Sequence, residues 1–252
     1  MAYELQFTAY TSEEREMAYD ISTVAAAMDQ KIMQLRHITN NLANVSTPGF
    51  KAEHLLMLNA LQEESKPGDS AASLSSLVVD FARGISQRTD NPLDLYLQGD
   101  GFFVVQTKGG QAYTRKGDFT VNSLNQLVTQ AGDPVVGEGG PITLRSGKVH
   151  VAADGSVFVD ESQVGKLKVV DFADRKNLRN AGGGLYIDDG TAGVKKVDRP
   201  DIASGSIELS NVNVINEMAG MIDIHRSFET YQKIIQTLTD LDKMSVSRVG
   251  RV

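Results

Sequence analysis

Met221–Met244 reads MIDIHRSFETYQKIIQTLTDLDKM. Its apolar residues Met221, Ile224, Phe228, Tyr231, Ile235 and Leu238 alternate steps of three and four. Residues so spaced return to one side of a helix with 3.6 residues per turn, which is the seam of a coiled coil. Ile215, Met218 and Ile222 widen the apolar area on one side, and Ile234, Leu241 and Met244 widen it on the other. Together they cover well over half the circumference, whereas a helix in a simple hairpin needs one stripe. The excess predicts several packing neighbours, from this chain or from others.

Working outward, a matching signal lies near the other end. Ile21, Met28, Leu35 and Leu42 recur every seventh residue, with Val24, Ala25, Ile32 and Ile38 between them. On a helical wheel they form a stripe about 140° wide, and Gln30, Gln34, His37 and Asn41 fall opposite. Asn44, Pro48 and Gly49 then close the segment, because proline cannot continue a helix and glycine takes the turn without penalty. The spacing predicts a helix from Asp20 to Ala43, about 35 Å long.

Between these ends the period changes to two. Leu93, Leu95 and Leu97 alternate with Asp94, Tyr96 and Gln98, as in a half-buried strand. Val149 and Val151 should face Val157 and Val159 across Asp154-Gly155, a favoured hairpin dipeptide. Further strands are expected at Phe102 to Val105, Phe119 to Val121, Leu127 to Thr129, Lys166 to Val170 and Leu185 to Ile187. The run from Gln62 to Ser76, rich in Ser, Ala and Glu, reads as an exposed linker.

The fold class expected is therefore α+β: long N- and C-terminal helices pairing as a coiled-coil-like discontinuous domain, with an antiparallel all-β domain inserted. Residues 1–61 and 205–252 form the helical assembly domain, 62–76 the linker and 77–204 the β-rich domain. The ten seam residues Ile21, Met28, Leu35, Leu42, Met221, Ile224, Phe228, Tyr231, Ile235 and Leu238 are the candidate assembly interface.

Composition narrows the function. The 252 residues are 41% hydrophobic and 23% charged, with a net charge of -7, and no basic cluster marks a nucleic-acid footprint. With Cys 0, disulfides and thiolate chemistry are excluded. Residues 1–20 lack the basic start and apolar run of a signal peptide, and no apolar stretch approaches a membrane span. His37, His54, His150 and His225 are scattered, without a second ligand at metal spacing. Gly99-Asp100-Gly101 lacks the third glycine of a phosphate cradle and reads as a turn, with Phe102 and Phe103 divided between core and interface. Asp188-Asp189 before Gly190 also reads as a turn. No catalytic, cofactor-binding or metal-ligating residue is nominated, and no cofactor or small-molecule substrate is expected.

Four motifs, in order along the chain, carry a resemblance. Asn41-Leu42-Ala43-Asn44-Val45-Ser46-Thr47-Pro48-Gly49-Phe50-Lys51 closes the first helix. Asn91-Pro92-Leu93-Asp94-Leu95-Tyr96-Leu97-Gln98-Gly99-Asp100-Gly101-Phe102-Phe103 opens the β region. Tyr113-Thr114-Arg115 and Gly117-Asp118-Phe119 follow. Ser210-Asn211-Val212-Asn213, Glu217-Met218 and Arg226-Ser227-Phe228-Glu229 introduce the last helix. The set resembles the rod and hook subunits of the bacterial flagellar basal body, and the length suits a proximal rod subunit, with a distal rod subunit as the alternative. The resemblance implies a non-enzymatic structural subunit whose terminal helices line an inner tube and whose β domain decorates it. It implies other rod subunits, copies of the chain itself and the flagellar type III export apparatus as partners, with no nucleic acid and no membrane insertion. It also implies a place in the periplasmic rod, reached without a cleaved signal. Two features depart from the family pattern. About 20 residues precede Ile21-Ser22-Thr23-Val24 and read as a flexible leader, and the turn Asn122-Ser123-Leu124-Asn125 lacks the usual glycine, for which asparagine substitutes. From the residues alone, a monomeric binding protein built on the β domain and a dissociable assembly cap or chaperone stay open.

Overall fold

The computed structural model describes residues 2–58 and 74–249. The chain divides into two compact units, Met1–Leu42 with Val214–Val252, and Ala43–Asn213. The expected linker 62–76 lies outside the described residues except for 74–76, which open a strand.

The helical unit consists of α1 (Ala2–Ala43) and α2 (Val214–Val249). Helix α1 does not begin at Asp20: the leader continues it, for a length of about 60 Å. Leader residues such as Leu5, Glu13 and Glu14 carry no proline or glycine, so nothing in their backbone preference stops the helix. Glu217 lies in the first turn of α2, where the positive end of the helix dipole favours a carboxylate.

The β unit is antiparallel throughout its paired strands. Its largest sheet has six strands in the order Leu178–Gly182, Leu185–Asp188, Gly110–Thr114, Phe102–Thr107, Val169–Phe172 and Val194–Lys196. Phe102–Thr107 is central, and its first four residues are buried to 1% or less. Phe103 and Val105 enter a core with Leu95, Leu97, Phe119 and Val157. Phe102 and Val104 point the other way, into a second core with Tyr113, Phe172 and Tyr186. The period-two alternation of a strand thus explains why Phe-Phe-Val-Val is unbroken: each face has its own core. Phe102 meets Phe81 and Phe172 edge-on, at centroid distances of 5.4 and 5.5 Å, an arrangement that suits the ring quadrupoles. Neither phenylalanine is left for an interface, contrary to the expected division.

Val149–Val151 pairs with Ser156–Val159 in the expected register, Val149 with Val159 and Val151 with Val157. Asp154 closes that turn by accepting from the Ser156 N–H at 3.0 Å. In the hairpin without glycine, Asn125 has φ 58, and Asn122 Oδ1 accepts from the N–H groups of Leu124 and Gln126. The expected strand Lys166 to Val170 is two strands, Ser162–Lys166 and Val169–Phe172, in different sheets. Leu167, between them, is buried and bridges to Gly137. Glu53–Leu58 pairs with Leu74–Val79 as a separate two-stranded ribbon that the pattern reading did not anticipate.

The coiled-coil-like pairing of the two long helices is not found. Of the nine seam residues whose side chains are described, only Ile224 is buried, at 4% exposure. None of the three hydrophobic clusters draws a residue from either helix. The helices meet at their roots, where Asn41 Nδ2 donates to Glu217 Oε1 at 2.8 Å and Ile38 lies against Gly220. The fold is a β-rich region flanked by two helices.

Candidate assembly interface

Met28, Leu35 and Leu42 on α1, and Met221, Phe228, Tyr231, Ile235 and Leu238 on α2, are half-buried. Only the backbone of Ile21 is described. The flanking residues are more open. Ile215 is 79% exposed, Met218 53% and Ile222 54%, while Leu241 and Met244 are 51% and 55%. Ile32 and Met33 are also exposed on α1. Full burial of such a side chain is worth about 1.5–3 kcal/mol, and most of that remains unrealised here. The open residues Ile215, Met218 and Ile222 recur at helical spacing, which makes them one continuous apolar strip rather than scattered exposure.

The polar side of α1 differs from the pattern reading. Asn41, assigned to the face opposite the stripe, is only 1% exposed, and Gln34 and His37 are half-buried. The root of the helical unit thus includes a polar contact, half-buried on the Glu217 side.

In the β unit, residues from all four motif regions meet at a buried ionic cluster. Lys51 Nζ lies 2.6 Å from Glu208 Oε1, with the two side chains 0% and 1% exposed. The same ammonium donates to the Ala82 carbonyl at 2.7 Å, and the Gly84 N–H donates to Glu208 Oε1 at 2.8 Å. Arg115, also buried, brings Nη1 to 3.8 Å from Glu208 Oε2. It donates to the Gly99 carbonyl at 2.9 Å and sits 5.4 Å from the Phe102 ring centroid. Asn211 spans the cluster's edge. Its Oδ1 accepts from the Ala52 N–H, and its Nδ2 donates to the carbonyls of Asp80 and Ala82. Gly49 hands its N–H to the Glu208 carbonyl at 2.7 Å. With φ +65, a side chain there would strike the backbone of Arg115 and Lys116, so only glycine fits.

Burial pushes the Lys51 ammonium and the Arg115 guanidinium below their ordinary pKa values, and the Glu208 carboxylate pulls both back. Two buried cations share one buried anion. Such a cluster adds little net stability over apolar packing, but removing its buried anion leaves Lys51 without a carboxylate partner and Arg115 with only the exposed Asp100, at 4.0 Å. Its product is geometric: it ties the chain leaving α1 to the chain approaching α2. Pattern reading had no access to it, because Lys51 and Glu208 are far apart in sequence and each looks like an ordinary surface charge. The clustering of Pro48-Gly49-Phe50-Lys51, Thr114-Arg115 and Ser210-Asn211 as motifs was the available signal.

Among the described residues no helix is long and apolar enough to cross a membrane, and no group of His, Asp and Glu side chains is placed to hold a metal ion.

Comparison with known proteins agrees with the motif reading. Residues 96–159 match the family described as "Flagellar hook protein FlgE/F/G D1 domain". Residues 203–248 match "Flagellar basal body rod FlgEFG protein C-terminal". The flagellar basal-body rod protein FlgF of Caulobacter vibrioides is 34% identical over 227 residues, covering 87% of this chain and 93% of that protein. The FlgF of Escherichia coli is 35% identical over 241 residues, covering 89% and 95%. The FlgG of Bacillus subtilis is 30% identical over 236 residues, covering 81% and 89%.

Proposed function

This chain belongs to the flagellar basal-body rod protein family and is a structural subunit of the rod, most like the FlgF members; on that premise we propose that its terminal helices polymerise with those of neighbouring subunits into a torque-transmitting tube. The family is structural, and the chain assembles with other rod components in the flagellar basal body. The seam residues from Ile21 to Leu238, apart from Ile224, which is already covered within the chain, and the open strip Ile215, Met218 and Ile222 supply the inter-subunit packing. Subunits joined through two different faces make a heterologous contact, and a rotation that does not close produces a helical tube. The subunit occupies the proximal, periplasmic part of the rod. It reaches that place unfolded, through the type III export apparatus, and no disulfide has to be undone on the way. Its neighbours are other rod subunits and copies of itself.

The observation that carries this reading is the exposure of the α2 strip, 53–79% at Ile215, Met218 and Ile222. Apolar residues at helical spacing on a long helix leave a strip that a soluble monomer has no reason to keep. The test is Met218→Glu with Ile222→Glu. Both positions are open in the subunit, and glutamate is a good helix former. The purified variant should therefore keep its helix content and thermal transition, whereas cells carrying it should export the protein, fail to complete rods and not swim. Complete rods and normal swimming would refute the assembly reading.

A further inference from the structure

Two short stretches of the β unit lead to the helices: residues 49–52 follow α1, and residues 208–211 precede α2. They advance side by side in the same direction. The Gly49 N–H donates to the Glu208 carbonyl at 2.7 Å, and the Asn211 N–H donates to the Phe50 carbonyl at 3.4 Å. Asn211 Oδ1 accepts from the Ala52 N–H at 2.7 Å. From 49 beside 208 to 52 beside 211 the numbers rise together, which is the sense of a parallel pair. Residues 79–88 run opposite to both. Val79 pairs with Glu53 and Ser86 with Glu208, and the carbonyls of Asp80 and Ala82 accept from Asn211 Nδ2 at 2.8 and 3.0 Å. Lys51 and Glu208 join the two stretches again at 2.6 Å, and Phe50, Ala52 and Val212 pack as a small cluster of their own.

The shared direction has a mechanical consequence. Tension between the chain before Gly49 and the chain after Asn211 draws the stretches in opposite senses along their common axis. Their bonds then share the load and must break together. Strands pulled apart from one end instead open bond by bond. Among the described residues, neither large core of the β unit draws a member from these stretches.

We propose that residues 49–52 and 208–211 form a shear clamp, with Asn211 as the positioning residue that seats it, so that tension between the helix ends passes without opening the two β cores. The clamp stands on the geometry of a single chain. That the tension is the one borne by a turning rod rests on the assembly reading above.

The chain contains no cysteine, so paired cysteines give unique attachment points for single-molecule pulling of the full-length protein. Ser46→Cys/Ile215→Cys, at exposed positions, loads the clamp in shear. Lys108→Cys/Asp189→Cys, also exposed, loads the antiparallel strands Gly110–Thr114 and Leu185–Asp188 from one end, because Thr114 faces Leu185. Opening of the β unit releases about 60 nm of chain in the first geometry and about 30 nm in the second, which distinguishes it from parting of the helices. The first release should need the higher force. Asn211→Ala removes three side-chain hydrogen bonds. At fixed force it should speed the first release at least about tenfold and leave the second unchanged, whereas a general loss of stability would speed both. The clamp is refuted if the first geometry opens at equal or lower force, or if Asn211→Ala speeds both geometries alike or neither. The comparison of geometries keeps Asn211 in place, so it decides the matter even where Asn211→Ala does not fold. Because the readout comes from one chain, a failed clamp leaves the assembly reading standing, and failed rods leave the clamp standing.

Discussion

Phe102–Val105 in the β unit and Met221–Leu238 in the helical unit are both built from large apolar side chains, yet their surroundings are opposite. Each of the four strand residues is at most 1% exposed and belongs to a closed core. Along the helix seam Ile224 alone is buried, and the flank carrying Ile215, Met218 and Ile222 is open. The β unit has completed its packing within one chain, whereas the helical unit has the chemistry of a core without enough neighbours. Polar groups follow the same division. The β unit sequesters an ionic cluster around Glu208, while among the described residues of the helical unit the buried polar side chain is Asn41, at its root. On the proposed assembly reading, this allots stability to one unit and association to the other.

Substitutions should expose that division by where their effect is felt. The largest loss is expected for Glu208→Leu, which removes the buried anion that Lys51 and Arg115 share. It should cost the purified subunit about 3–5 kcal/mol, measured by urea unfolding followed through the tyrosines of the β unit. Leu97→Ala, at a residue 2% exposed, should cost about 3 kcal/mol by removing buried methyl groups and leaving a cavity. Asn125→Ala should cost about 1 kcal/mol, because alanine tolerates φ 58 less well than asparagine. Ile215→Glu should change the stability of the isolated subunit by no more than about 0.5 kcal/mol, since the side chain is 79% exposed. That last variant should nevertheless impair rod completion in cells. A large stability loss from Ile215→Glu, or none from Glu208→Leu, would break the comparison.

Where a residue's environment is set by its near neighbours, the sequence was readable. The Val149–Val151 hairpin, the positive φ at Asn125 and the helical ends all follow from local spacing and turn chemistry. The strand Gly110–Thr114 escaped notice because Gly-Gln-Ala-Tyr-Thr has no alternation, and its place beside Phe102–Thr107 comes from tertiary pairing. The seam on α2 was legible as an apolar face, but periodicity does not say what covers a face, and the coiled-coil assignment overreached there. Asn41 was sorted to solvent because pattern reading places polar residues outside, and its partner Glu217 lies far away in sequence. The ionic cluster was invisible for the same reason, since Lys51 and Glu208 meet only after the whole β unit has closed.

The central claim is that the helices are completed by neighbours and the β unit is not. Amide hydrogen exchange on the purified, unassembled subunit and on the same protein in isolated basal bodies tests it most directly. In the free subunit, amides of Phe102–Val105 should open only with global unfolding, while those of α2 between Met221 and Leu238 should exchange at least about a hundredfold faster through local opening. In the assembled rod the α2 amides should slow to the level of the β core, with the strand amides unchanged. Equal protection of α2 and Phe102–Val105 in the free subunit, unaltered by assembly, would contradict the account.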